Sequence, residues 1–168
     1  MFTTISTFLA TWTMESANTI KVLEALTDAS LAQAVVPGGR TLGRLAWHLP
    51  ITHAEMFQLA GVTEVKGPAE DAPVPTTAAA ILAAYRESAA SLVERIPACW
   101  TDADLPVEIP MYMGENWPRA MVLGAVVAHE IHHRGQMTVL MRQAGLAVPG
   151  VYGPSGSELA AMGASVPE

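Results

Sequence analysis

Only one cysteine, Cys99, occurs in 168 residues. An intrachain disulfide framework is therefore excluded, and a reducing compartment is expected. Positive charge is scarce too: nine Lys and Arg stand against sixteen Asp and Glu, a formal net charge of −7. Nucleic-acid binding needs a basic footprint, and an anionic membrane surface would repel this chain, so neither partner is expected. No segment holds about eighteen uninterrupted apolar residues, the usual signature of a membrane span. Residues 119–141 come closest, but Arg119, His129, Glu130, His132, His133, Arg134 and Gln136 interrupt them. The opening Met1-Phe2-Thr3-Thr4-Ile5 has no basic stretch ahead of its apolar residues, so a signal peptide is not expected. Runs of β-branched residues with alternating polarity are rare as well. These absences together describe a soluble, cytoplasmic protein.

What is present is apolar and helix-forming. Hydrophobic residues make up 51% of the chain, many of them Ala, which favours an all-α fold. A length of 168 residues fits one domain spanning 1–168. Apolar positions at helical spacing, from Ile5 and Phe8 to Leu23 and Leu26, mark a first helix over 3–27. A connector, 28–40, closes on the turn Pro37-Gly38-Gly39. Thr41 caps a second helix over 41–60, with Pro50 inside it removing a backbone bond to Ala46. A proline-rich loop over 61–75 precedes a third helix, capped by Thr76 or Thr77 and ending near Ile96 before Pro97. Residues 97–116 read as an irregular crossover, with a short strand pair as an option. Pro118 opens the fourth helix at its first position and Gly145 closes it. A short helix near 157–162 ends the reading. The architecture expected is a four-helix bundle with an irregular crossover between helices three and four, a fold whose core commonly carries metal sites built from facing helices.

The chemistry concentrates in His129-Glu130-Ile131-His132-His133-Arg134-Gly135-Gln136. Residues four apart share a helix face, so His129 and His133 project together, on the side of Val122, Gln136 and Leu140. Two imidazoles sent toward an apolar interior are costly unless something binds them, and a divalent transition metal is the simplest partner. His48, in the apolar setting of Leu45, Trp47 and Leu49, supplies a third ligand from the second helix. The letters also match His-Glu-x-x-His, in which Glu130 would be the general base of a hydrolase. Yet Glu130 lies a hundred degrees round the helix from His129, and no further ligand follows before Glu158. On the face of His48, Thr52 and Glu55 stand at i+4 and i+7. Glu55 is a candidate to hold a ligand N–H or to shuttle a proton, with a solvated carboxylate as the plain alternative. Gln136 either reaches the open coordination side or hydrogen-bonds a neighbouring helix. His132 belongs behind the ligands or at the rim, with a substitute ligand at i+3 as the alternative. His53 belongs on a solvated or interfacial face, and Arg134 beside a carboxylate or the loop before helix four. The methionines read as packing. Trp47, Trp117 and Tyr152 would either wall a pocket or fill the core.

The segment Leu42-Gly43-Arg44-Leu45-Ala46-Trp47-His48-Leu49, the His129–Met137 run, Arg142-Gln143-Ala144-Gly145 and the tail Val148-Pro149-Gly150-Val151-Tyr152-Gly153-Pro154 resemble the DinB/YfiT-like family. The likeness spans nearly the whole chain, and the His-His-Arg-Gly-Gln string is its most specific part. It implies a four-helix bundle with a three-histidine site, mapping here onto His48, His129 and His133, that binds zinc or nickel, commonly in a homodimer. Pro50, two residues after His48, departs from the pattern. Characterised members include S-transferases and an isomerase that use low-molecular-weight thiols such as bacillithiol or mycothiol. The expectation is thus a divalent-metal enzyme that activates such a thiol, or water, for attack on a small-molecule substrate, with Glu55 and Gln136 as auxiliary catalytic groups. A non-catalytic metal-binding or stress-response bundle and a metal-assisted hydrolase are the alternatives.

Overall fold

Thr4, Thr41, Thr77 and Ser155 each place a hydroxyl on the backbone N–H three residues ahead, and a helix starts at each. Such caps satisfy a donor that the first helical turn leaves free. In a computed structural model, which describes residues 2–165, these starts open α1 (Ile5–Glu24), α2 (Leu42–Leu59), α3 (Ala78–Cys99) and α5 (Gly156–Ala161). The longest helix, α4 (Arg119–Gln143), follows a two-stranded antiparallel ribbon of β1 (Glu108–Pro110) and β2 (Asn116–Pro118), with Ile109 opposite Trp117. Among the described residues the fold is all-α apart from this ribbon and an isolated Ala34–Thr41 bridge. The ribbon starts in the expected crossover over 97–116 and runs two residues past it.

Each long helix packs on two others: α1 and α2 both contact α3 and α4. The bundle is therefore a square with α1 and α2 on one diagonal. Phe8 and Trp12 of α1, Leu49 and Phe57 of α2, Ile81, Tyr85 and Leu92 of α3, and Leu123 and Met137 of α4 are fully buried between them. Burying an aliphatic or aromatic side chain of this size contributes about 1.5–3 kcal/mol, so this interior holds the helices in register. Among the described residues, no helix is long and apolar enough to cross a membrane.

Three boundaries differ from the sequence reading. The first helix stops at Glu24, because Thr27 caps a separate 3₁₀ turn over Asp28–Ala32. Helix α3 runs through Pro97 to Cys99; the backbone bond that Pro97 gives up is to Val93, an exposed position, so the loss is small. Pro118 ends β2 with extended backbone, at ψ 141°, one residue before α4 rather than inside it. Gly145, at φ +74°, ends α4 as expected.

Pro50 lies inside α2, buried, and the loop from 61 to 75 crosses directly over it. A Cβ added at Gly67 would sit 2.5 Å from the carbonyl oxygen of Pro50 and 2.6 Å from the Cβ of Ala54. Gly67→Ala must push this loop off the helix that carries His48. We expect a cost of about 1–3 kcal/mol, a fall in melting temperature of roughly 3–10 °C. An unchanged melting curve would show that the crossing is looser than this contact requires.

Candidate metal centre

The α2 and α4 faces that meet at the edge of the core carry His48 on one side and His129 and His133 on the other. One ring nitrogen from each of the three lies within 4.8 Å of the others. Ring centroids are 5.0 Å apart for His48 and His129, 4.9 Å for His48 and His133, and 4.3 Å for the α4 pair. His133 is buried and the other two are half-buried.

The hydrogen bonds fix how His133 is presented. Its Nδ1–H donates to Gln136 Oε1 at 2.7 Å, while the Gln136 amide nitrogen donates to His132 Nε2 at 3.1 Å. With Nδ1 holding the proton, the Nε2 lone pair of His133 faces inward, 3.1 Å from Nε2 of His129. His129 Nδ1 is buried without any hydrogen-bond partner. Thr52 Oγ1 lies 3.5 and 3.4 Å from the two nitrogens of His48, beyond a well-formed bond.

Burial, followed by the neighbouring His133, lowers His48 to about 4 and His129 likewise to about 4, from an ordinary 6.5. Burial also lowers His133, against the contrary pull of its bond to Gln136. Three imidazoles brought together with their cationic forms disfavoured are the donor set of an open, three-ligand cation site.

These shifts carry a sign for the metal-free protein. Above pH 6.5 both folded and unfolded chains hold neutral imidazoles, and nothing is lost. Between 6.5 and about 4 the unfolded chain takes up protons that His48 and His129 refuse in the fold, so stability falls as pH falls. Melting of chelator-treated protein across that window should show the decline, and His48→Gln should flatten it. An identical slope in the variant would refute the assignment.

The structure departs from the sequence reading at His53 and Glu130. His53 is neither solvated nor interfacial: it is fully buried, with Nδ1 2.9 Å from Ser88 Oγ and its ring edge-on to Trp12. Glu130 is fully buried as well, accepting a short hydrogen bond from Tyr85 Oη and lying 3.5 Å from His53 Nε2. Burial alone would push the Glu130 carboxyl up, but the His53, Tyr85 and Thr19 side chains around it prevail and hold it below the usual carboxylate range. Burial and the Glu130 charge push the Tyr85 hydroxyl well up. A carboxylate locked this way is a structural anion, and a general-base role for Glu130 has no path to the imidazoles. The signal was legible in outline: Leu123, Val126, Glu130, Met137 and Met141 recur at helical spacing, so Glu130 stands at the centre of the core face and His129 at its margin.

Glu55 is exposed and makes no hydrogen bond to the three imidazoles among the described residues; burial and then Glu70 raise its carboxyl. Gln136 bonds His133 and His132 rather than a neighbouring helix, and His132 is exposed at the rim. Arg134 does meet a carboxylate, Glu15 of α1, at 2.5 Å, and also Tyr152 of the tail. Tyr152 lines a cavity of about 340 Å³ between α4 and residues 148–155. The indole nitrogens of Trp47 and Trp117 are engaged by Ala72 and Glu115.

The same bundle recurs in known proteins. The model of the DinB family matches residues 1–165. The chain belongs to the DinB family. It is 42% identical over 170 residues to the uncharacterized protein YrdA of Bacillus subtilis strain 168, covering 100% of this chain and 99% of that one. It also superimposes on the crystal structure of a DinB-like protein from Bacillus cereus ATCC 10987 with a TM-score of 0.85 and 45% identity, over 90% of this chain and 100% of the other.

Proposed function

We propose that this DinB-family protein is a metal-dependent transferase that joins a low-molecular-weight thiol to an electrophilic small molecule. The observation that carries the reading is the convergence of three imidazoles from α2 and α4 whose protonated forms burial disfavours. His48, His129 and His133 would hold the cation, and zinc or nickel suits an all-imidazole set. Such a cation, when bound, acidifies a thiol or water at its open position.

The chain's own groups do the rest. Gln136 holds the proton of His133 on Nδ1 and so keeps Nε2 free as a donor. Beneath the site Tyr85 donates to Glu130 and Ser88 bonds His53, so these buried groups engage the core rather than the imidazoles. His53 Nε2 and Glu130 Oε2, 3.5 Å apart, make no well-formed hydrogen bond. Cys99 lies half-buried at the end of α3, its Sγ 4.0 Å from Thr63 Oγ1, and is not part of the imidazole group, so the sulfur of the proposed reaction is that of an external thiol. In the overall reaction a carbon–sulfur bond forms, the leaving group departs with its electron pair, and the thiol proton passes to solvent at the open rim. Hydrolysis has less support, because Glu130 is locked in the core and Glu55 touches none of the imidazoles.

The test is metal analysis of the purified chain followed by conjugation of monochlorobimane with bacillithiol, mycothiol, coenzyme A and cysteine. Turnover with one of them, lost on chelation and restored by zinc or nickel, is the expected result. Gln136→Ala should weaken metal affinity about 10–100-fold, as removing a group that orients a ligand does. Stoichiometric metal without thiol-dependent turnover would overturn the transferase reading and leave the non-catalytic metal-binding bundle. A second copy of the chain is the expected partner, and light scattering showing only monomer would remove it.

A further inference from the structure

Arginine is sparse in this acidic chain, and five of its seven arginines have a partner among the described residues. Arg86, Arg95, Arg119 and Arg134 each hold a carboxylate, and Arg142 bonds the carbonyl of Thr138. Arg40 and Arg44 have no side-chain partner among the described residues, although the chain carries sixteen Asp and Glu to supply one. Both lie beside the imidazole centre. Arg44 precedes His48 by one turn on the same face of α2. Arg40 lines a cavity of about 390 Å³ whose other walls are Val35, Val36, Leu45, Val139, Leu140 and Gln136. Gln136 is the residue bonded to His133, so one wall of the cavity is the side chain that orients a member of the imidazole centre. After burial and His133, the charges of Arg40 and Arg44 are the next influences disfavouring a protonated His48.

The volume falls within the range of small-molecule sites, which combine apolar walls with a few placed polar groups. Val35, Val36 and Val139 are more than half exposed, at 64%, 57% and 51%, so the apolar side of the cavity is not yet covered. The Arg40 guanidinium in its wall, with Arg44 also close enough to His48 to act on its charge and neither paired among the described residues, gives this cavity of a −7 molecule an affinity for one sign of ligand. We propose that this cavity receives a small organic carboxylate, its apolar body against Val35, Val36, Val139 and Leu140 and its carboxylate on Arg40 and Arg44, so that it lies beside the imidazole centre. The electrophile or the thiol of the reaction proposed above would then be such an amphiphilic acid; in that respect the inference rests on the transferase reading.

The experiment compares 4-phenylbutyrate with its neutral counterpart 4-phenylbutanol by titration calorimetry on the full chain. The acid should bind about tenfold or more tightly than the alcohol, as charge-assisted bonds to guanidinium allow. Arg40→Gln/Arg44→Gln should abolish that preference while leaving the affinity for the alcohol unchanged. Val139→Glu, which sets a like charge in the cavity at an exposed position, should also reject the acid. The acid preference should persist in His129→Ala, which separates this inference from the metal reading. Equal affinities for acid and alcohol, no detectable binding of the acid, or a preference that survives the double arginine substitution would each overturn it, whatever the metal content proves to be.

Discussion

Alanine at His129 will deprive the protein of its divalent cation while leaving the bundle folded. The wild-type chain should carry about one cation per molecule, held by three imidazoles. His129 contributes one of the three converging nitrogens, and its other nitrogen has no partner that would be left stranded. Dissociation constants should rise by more than the 10–100-fold that follows loss of a merely orienting residue. The fold should survive because His129 sits half-buried at the margin of the core. The wild-type protein should also melt higher with saturating metal, by about 2.7 kcal/mol at one hundred times Kd, and the variant should not. His132→Ala, at the exposed rim, is the control that keeps its metal. A His129→Ala protein that binds zinc and nickel as tightly as wild type would remove the centre altogether.

The second large effect lies away from the imidazoles. Arg134→Met should destabilise the fold by about 3–5 kcal/mol, a fall of roughly 6–20 °C in melting temperature, because it leaves a buried carboxylate without its counter-charge. Arg134 and Glu15 are only 2% and 3% exposed. The guanidinium bonds the Glu15 carboxylate at 2.5 Å, the Glu15 carbonyl at 3.0 Å and Thr19 Oγ1 at 3.1 Å. Tyr152 closes the arrangement, its hydroxyl 2.7 Å from Glu15 Oε2, and so ties the tail to α1 and α4. Replacing both charges, in Glu15→Leu/Arg134→Met, should recover most of the loss, since an apolar pair of similar volume leaves no ion stranded. Chemical denaturation of the two variants decides it. A single variant within about 1 kcal/mol of wild type, or a double variant no better than the single, would mean that the pair is solvated in practice.

Much of the architecture could be read along the chain. Thr41 and Gly145 mark helix ends through local chemistry, a hydroxyl on a free N–H and a left-handed residue, and such signals need no distant partner. The i, i+4 spacing of His129 and His133 is equally local. Periodicity is weaker at ranking one helix face against another. Placing the α4 histidines on the core side put Glu130 outside it, whereas the buried row through Leu123, Val126, Glu130 and Met137 passes through the carboxylate. His53 was displaced for a related reason: it stands between Leu49 and Phe57 on the buried face of α2, but a polar residue there reads as solvated until a partner is known.

Sequence alone determined the number and order of the long helices, the family, and which three histidines to consider, because helical periodicity and capping act over a few residues. Tertiary structure decided how the buried polar groups pair. Ser88 and Tyr85 reach His53 and Glu130 across the square of helices, and Glu15 meets Arg134 from 119 positions away. A charge or a hydroxyl enters the core only against its cost in lost hydration, and whether that cost is met depends on side chains that periodicity does not bring into view.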